Sequence, residues 1–247
     1  MISRTSIAIL LVAVAEANYR SGEVRSTEEF LYGRFSTRMQ GSAKMGTVTS
    51  FFTYWTGDNG KWSKSNWNEL DVELVPSITS NPMSMNIIWR DQAQDQGYCA
   101  GFQPGTEWND YVIEWAPGYV QWFINGNMVR RIEGTEDVAF MTKHQKLMMN
   151  FWTPTFAGWG DNFSDAGMPW FARYDYVKVE SYNAATGGFE PLWEDNFDSF
   201  DAKRWTKSDG WGFESNSCTW AADSVYTENG ALVLKMDYPR ANALYSS

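Results

Sequence analysis

Histidine and cysteine are nearly absent from this chain of 247 residues: His144 is its one histidine, and Cys99 and Cys218 are its two cysteines. A zinc centre needs three or four nitrogen, sulfur or carboxylate ligands, so this set is too small to build one around His and Cys. Serine–histidine or cysteine–histidine catalysis would have to run through His144, which reads as a solvated loop residue in the polar stretch Thr142-Lys143-His144-Gln145-Lys146. The two cysteines leave two readings open, one disulfide or a pair of buried thiols. Basic charge is short as well, with 20 Lys and Arg against 30 Asp and Glu and a net charge of -10. That balance argues against nucleic acid or an anionic membrane as the main partner, whereas a neutral polysaccharide would be indifferent to it.

Long apolar runs are also missing, with one short exception at the start. Met1 to Ala17 reads as a secretory signal: Arg4, then the apolar Ile7 to Val12, then small residues at Ala13, Ala15 and Ala17 that offer two cleavage patterns. Nothing else is long and apolar enough to span a bilayer, so the expectation is a secreted, soluble protein with residues 18–247 as one domain. Helical periodicity is lacking too. Short β-like runs recur instead, at Gly46 to Tyr54, Trp67 to Val75, Met83 to Trp89, Tyr111 to Trp115, Leu147 to Trp152, Tyr174 to Val179 and Ala231 to Met236. Tyr119 to Ile124 and Asn127 to Ile132 flank Asn125-Gly126, a strong hairpin signal because both turn residues tolerate positive φ. This pattern predicts an all-β, antiparallel two-sheet sandwich, with Asn183 to Gly188 as a connection inside it.

What the chain has in excess is aromatic surface, with 14 Trp, 12 Tyr and 15 Phe, more than a core of this size needs. Flat apolar rings with a polar edge suit stacking on sugars. Against that background one segment stands out: Glu69-Leu70-Asp71-Val72-Glu73, directly after Trp67. Side chains alternate along a strand, so Trp67, Glu69, Asp71 and Glu73 share one face, expected to be solvated, while Leu70, Val72 and Leu74 share the buried one. Three acids in a row repel one another, a cost that points to proton sharing or to function. An ordinary acidic edge strand is the plain alternative, but paired carboxylates beside sugar-stacking rings are the usual machinery of glycosidic cleavage.

Trp67-Asn68-Glu69-Leu70-Asp71-Val72-Glu73 resembles the active-site strand of glycoside hydrolase family 16, and specifically its lichenase branch, the endo-β-1,3-1,4-glucanases. Tyr19 to Ser26, Thr49 to Tyr54, Met149-Asn150-Phe151-Trp152 and Tyr174 to Lys178 look like further segments of those enzymes, in the family's order. Gly187 to Pro191 and Ser217 to Trp220 look like the beginning of an ordinary lichenase, yet here they follow its end. The chain thus resembles the circularly permuted members, a rearrangement that is cheap where termini lie close together.

The resemblance implies a jelly-roll, concanavalin-like sandwich with Glu69 as nucleophile, Glu73 as general acid/base and Asp71 assisting between them. The matched cleft positions are Glu23, Arg25, Phe52, Tyr54, Trp67, Asn86, Asn150, Trp152, Trp159 and Trp211. No cofactor is implied for catalysis. A structural calcium is implied, held by the Asp175 side chain with backbone carbonyls near Pro191 and Gly230. The family also implies a monomer acting on β-glucan, without nucleic acid or membrane partners.

Three positions depart from the pattern. Ser84 stands where lichenases commonly carry glutamine and Ile88 where many carry tyrosine, which leaves the finer linkage preference open. Ser21 stands where half of a frequent disulfide would lie, which implies that Cys218 is free or pairs with Cys99. The laminarinase-like branch typically inserts one residue before the last glutamate, and none is inserted here. An endo-β-1,3-glucanase or a transglycosylase on the same fold is the near alternative. A non-catalytic β-glucan-binding protein is the distant one, since it would need the aromatics but not the acids.

Overall fold

The computed structural model describes residues 19–99 and 101–239; the signal expected over 1–17 lies outside them. Seventeen strands occur among the described residues. In chain order they are β1 (Tyr19–Ser21), β2 (Glu23–Ser26), β3 (Gly33–Gln40), β4 (Val48–Tyr54), β5 (Asn68–Leu74), β6 (Met83–Trp89), β7 (Gln92–Tyr98), β8 (Asn109–Ala116) and β9 (Tyr119–Ile124). After these come β10 (Asn127–Glu133), β11 (Lys146–Trp152), β12 (Trp170–Asn183), β13 (Gly188–Asp195), β14 (Trp205–Lys207), β15 (Cys218–Trp220), β16 (Val225–Glu228) and β17 (Ala231–Met236). One five-residue α-helix, Glu136–Phe140, interrupts them, and no helix among the described residues is long and apolar enough to cross a membrane.

Two antiparallel sheets hold nearly all of these strands. One runs in the order β14-β2-β11-β4-β5-β6-β7. The other runs β10-β9-β8-β3-β12-β17-β16, with β13 also paired to β12, and β1 and β15 form a small parallel pair. The inner faces of the two sheets make a common core: Phe51, Leu70 and Val72 from the first cluster with Ile113, Trp115 and Trp122 from the second. Two hydrogen bonds cross it. Trp122 Nε1 donates to the Asp71 carbonyl at 2.9 Å, and the Tyr174 hydroxyl donates to the Ser50 carbonyl at 2.8 Å. Both satisfy polar edges of rings that otherwise contribute apolar area, and both tie the active-site sheet to its partner at the strands that matter.

The hairpin expected at Asn125-Gly126 is present, with φ of 48° and 77° at the two turn residues and β9 paired to β10 on either side. Asn183 to Gly188 is the turn of a second hairpin, between β12 and β13. The segment therefore connects neighbouring strands within one sheet. The C-terminal strands complete both sheets: β14 pairs with β2 at the edge of one, while β17 pairs with β12 in the other. Trp115, Trp122 and Trp205 are core residues, each almost fully buried. The cysteines do not pair: Cys99 is exposed and Cys218 buried. Burial pushes the Cys218 thiol up to about 12, which leaves it unreactive at ordinary pH.

Candidate active site

The outer face of the β14-to-β7 sheet carries a cleft of about 640 Å³, and β5 crosses its floor. Strand periodicity builds the floor in rows. Glu73 on β5 lies opposite Ser50 on β4 and Ser84 on β6, and Ser50 in turn faces Asn150 on β11, which faces Glu23 on β2. The next row runs Arg25, Met148, Phe52, Asp71, Asn86, Asp95 from β2 to β7. A third places Tyr54, Glu69 and Ile88 side by side. Successive rows are about 6.6 to 6.8 Å apart, the two-residue repeat of a strand. Leu70, Val72 and Leu74 point the other way into the core, as the alternation requires.

The expectation of a solvated acid face needs correction. Asp71 is 3% exposed, and Glu69 and Glu73 are half-buried, because aromatic side chains stand around the row of acids and keep water from it. Burial therefore dominates their ionisation. It raises Glu69 to about 7, partly offset by hydrogen bonds from Trp67 and Asp71. Glu73 rises to about 8, through burial first and then through the charges of Glu69 and Asp95. The Asp71 carboxyl is held well above the usual range by burial and by the glutamates on either side, and it shares a hydrogen bond with Glu69. Trp67 Nε1 donates to Glu69 Oε2 at 2.5 Å, while Glu73 Oε1 accepts from the Ser50 hydroxyl at 3.4 Å. The nucleophile candidate thus carries two donors that favour its anion, one of them close, and the acid candidate a single long one.

Every cleft position expected from sequence lines this cleft except Arg25. Arg25 is on the same face as Glu23 one strand repeat away, and its charge acts on Glu23. Glu23 is buried and raised to about 7 by that burial, against hydrogen bonds from Ser208 Oγ at 2.7 Å and Asn150 Nδ2 at 3.2 Å. Asn86 Oδ1 and Asn150 Oδ1 are buried on the floor without a protein partner, leaving acceptors for sugar hydroxyls. Two aromatic walls flank the floor. On one side Tyr54 and Trp62 stand edge-on to Trp67, with centroids 6.4 and 5.5 Å away. On the other, Trp152 packs edge-on against Phe213 at 4.9 Å and Phe156 lies 5.8 Å from Trp159, with Trp211 alongside.

Trp62, Phe156, Phe213 and Asp95 were not expected from sequence. The three rings lie in loops, and their nearness to Trp67, Trp159 and Trp211 in the chain was the available signal. Ile88 lies in the cleft beside Glu69, so the tyrosine-to-isoleucine departure falls on the binding surface itself.

The calcium ligands do not converge as expected. Gly230 is two residues from Leu232, which pairs with Tyr174, so it comes close to Asp175 at a bulge in β12. Pro191 instead pairs with Glu180, five residues further along β12, about 16 Å away at strand rise. Asp175 is bound to Arg38 at 2.6 Å, and no group of three or more His, Cys, Asp or Glu able to hold a metal occurs among the described residues. Pro191 is therefore set apart from Asp175 and Gly230 along β12.

Comparison with known proteins agrees with this geometry. Residues 4–172 match the pattern of the glycosyl hydrolases family 16. A beta-glucanase of Fibrobacter succinogenes is 31% identical over 93% of this chain and 67% of its own length, and one from Brevibacillus brevis is 32% identical over 65% and 60%. The solved Bacillus licheniformis beta-glucanase shares the fold, with a TM-score of 0.53 and 23% identity over 64% of this chain and 70% of that one. The chain thus spans about two thirds of the length of these relatives, and its acid-floored, aromatic-walled cleft sits on a jelly-roll sandwich of the kind they share. It belongs to the family 16 glycosyl hydrolases.

Proposed function

We propose that this protein is a retaining endo-glucanase cleaving mixed-linkage β-1,3-1,4-glucan. The observation that carries this reading is the pair Glu69 and Glu73, two rows apart on the floor of an aromatic cleft, both with raised proton affinity. The reaction requires one negative charge on the pair, on Glu69, which has the closer hydrogen-bond donor. A Glu69 oxygen attacks the anomeric carbon, the glycosidic C–O bond breaks, and the Glu73 proton goes to the departing oxygen. Water then gives its proton to Glu73, attacks the same carbon and frees the Glu69 carboxylate. Retention places the two carboxyls about 5 to 5.5 Å apart in the reacting complex, closer than their backbone rows, so both side chains lean over Asp71. The hydrogen bond between Asp71 and Glu69 fixes the orientation of the nucleophile.

Support for mixed linkage comes from the register of β5, which is continuous with both neighbours from Glu69 to Leu74. A residue inserted before Glu73 would be a bulge and would re-aim that side chain. The expected result is a kcat/KM on barley β-glucan at least about tenfold above that on laminarin, a difference well within what cleft shape supplies. A higher value on laminarin, or glucose released singly from chain ends, refutes the linkage assignment while leaving the retaining chemistry in place.

We further propose a circular permutation relative to ordinary lichenases. It is supported by the family match ending at residue 172 and by β13 to β17 completing both sheets. Secretion is proposed from the Met1 to Ala17 segment alone.

A further inference from the structure

Four carboxylates, not three, meet at the catalytic row. Asp95 sits on the edge strand β7 opposite Asn86, which in turn faces Asp71. Its Oδ1 accepts a hydrogen bond from Ser84 Oγ, and Ser84 is buried one row over, directly opposite Glu73. The bond therefore draws the Asp95 carboxylate diagonally across β6, off its own row and toward that of Glu73. We propose that Asp95 is a positioning residue for the acid/base, its charge tethered by Ser84 beside Glu73 so that Glu73 keeps its proton until the leaving group takes it. This rests on Glu73 being the acid/base.

The charges facing Glu73 come from several elements. Glu69 and Asp71 lie on its own strand, Glu23 on β2 acts on Glu69, and Glu214 lines the cleft from the loop before β15. No lysine or arginine lines the cleft among the described residues. Arg130 is a cation whose charge interacts with that of Asp95. It reaches from β10 under the sheet, where its guanidinium donates to the Met85 carbonyl and to the Gln94 carbonyl and side chain, so it holds β6 and β7 rather than quenching the cleft. The electrostatics agree with the geometry: the Asp95 charge raises both Glu73 and Asp71.

Asp95 differs from Glu69 in one respect that matters for turnover. Once Glu69 is esterified its charge is gone, and it no longer helps Glu73 hold a proton. Asp95 takes no part in the covalent exchange, so it faces Glu73 alike in both steps. It therefore favours protonation of Glu73 in the first step and opposes its ionisation in the second, which places the working range of the enzyme at higher pH than the acid strand alone would set.

The test is Asp95→Asn, on an exposed position where the amide keeps the shape. Glu73 is titrated by carboxyl carbon NMR in the Glu69→Gln background, and the pH profile of kcat/KM on β-glucan is measured with Glu69 intact. A like charge at this separation, screened by buffer, is worth about half to one pH unit. The expected result is a fall of that size in the Glu73 midpoint, matched by an acidward move of the alkaline limb, while Asp95→Glu leaves both in place. Unmoved midpoint and limb overturn the proposal. In a Ser84→Ala background the Asp95→Asn shift should shrink, and a shift of unchanged size overturns the tether. The NMR titration needs no substrate, so a protein that shows the midpoint shift but cleaves no glucan refutes the functional reading and leaves the coupling standing.

Discussion

Glu69→Gln leaves a folded protein that has lost turnover by about four orders of magnitude, the scale seen when a covalent nucleophile is removed. Glu73→Gln loses about 10² to 10⁴, the share of a general acid. The reason lies in the floor of the cleft. Both glutamates project outward from a strand whose inward residues, Leu70, Val72 and Leu74, form the core contacts, so the amide replacements disturb chemistry and not packing. Circular dichroism should be unchanged. Glu73→Ala should regain turnover with azide, a small nucleophile that attacks the glycosyl-enzyme without a base, and the product should be a β-glycosyl azide. A Glu69 or Glu73 variant that keeps near-native kcat would end the assignment.

The same acids set a pH dependence of stability with an unusual sign. Glu23, Glu69 and Glu73 are raised to about 7, 7 and 8, and Asp71 is raised as well, by burial first and then by the charges of Glu69 and Glu73. The unfolded carboxylates titrate near 4. The native state thus binds protons more tightly than the unfolded one, so the contribution of these groups is fully present below about pH 4 and is lost as pH rises through 7 to 8. Most proteins with salt-bridged acids show the reverse. Melting temperature should therefore decline from pH 5 to pH 9, and Glu73→Gln should flatten that decline. At pH 9 the variant is expected to melt about 3 to 6 °C above the native protein, and at pH 4.5 the two should coincide. Parallel curves for the two proteins would show that the acid row is not under electrostatic strain. The reading of three close acids as a costly arrangement would then fail with it.

How much of this the sequence disclosed depended on whether a residue sat in a repeating pattern. The acid strand did, because burial on one face writes an alternation that any two-sided sheet strand must obey, and β5 spans almost the same residues as the run read from sequence. The β9–β10 hairpin was legible for the same reason, with Asn125-Gly126 between two periodic segments. Strand β7 was not. Its sequence Gln-Ala-Gln-Asp-Gln-Gly-Tyr is polar on both faces since it lies at the edge of the sheet, almost wholly exposed, and no core selects apolar residues there. Asp95 was hidden with it.

Trp62 was hidden differently, by a loop whose shape comes from backbone conformation: positive φ at Asn59 and Gly60 and a bridge between Asp58 and Lys61 turn the chain so that the ring meets Trp67. No periodicity encodes such a turn. The position of Pro191 relative to Asp175 depends on the register of β13, a quantity that only pairing partners fix.

The placement of the C-terminal strands has a consequence for how the protein comes into being. Strand β5, with all three acids, leaves the ribosome before one wall of the cleft and the brace of its sheet are made. Glu23 accepts from Ser208, β2 is flanked by β14, and Trp211 and Phe213 follow. Strand β12 has only β3 beside its first half until β17 arrives. At about 5 to 20 residues per second, several seconds separate synthesis of the catalytic strand from that of the last pairing strand. During that interval the acid row lies on an incomplete sheet, open to water and without one of its aromatic walls. The cleft is therefore complete only after β14 and β17 have been made and have joined their sheets.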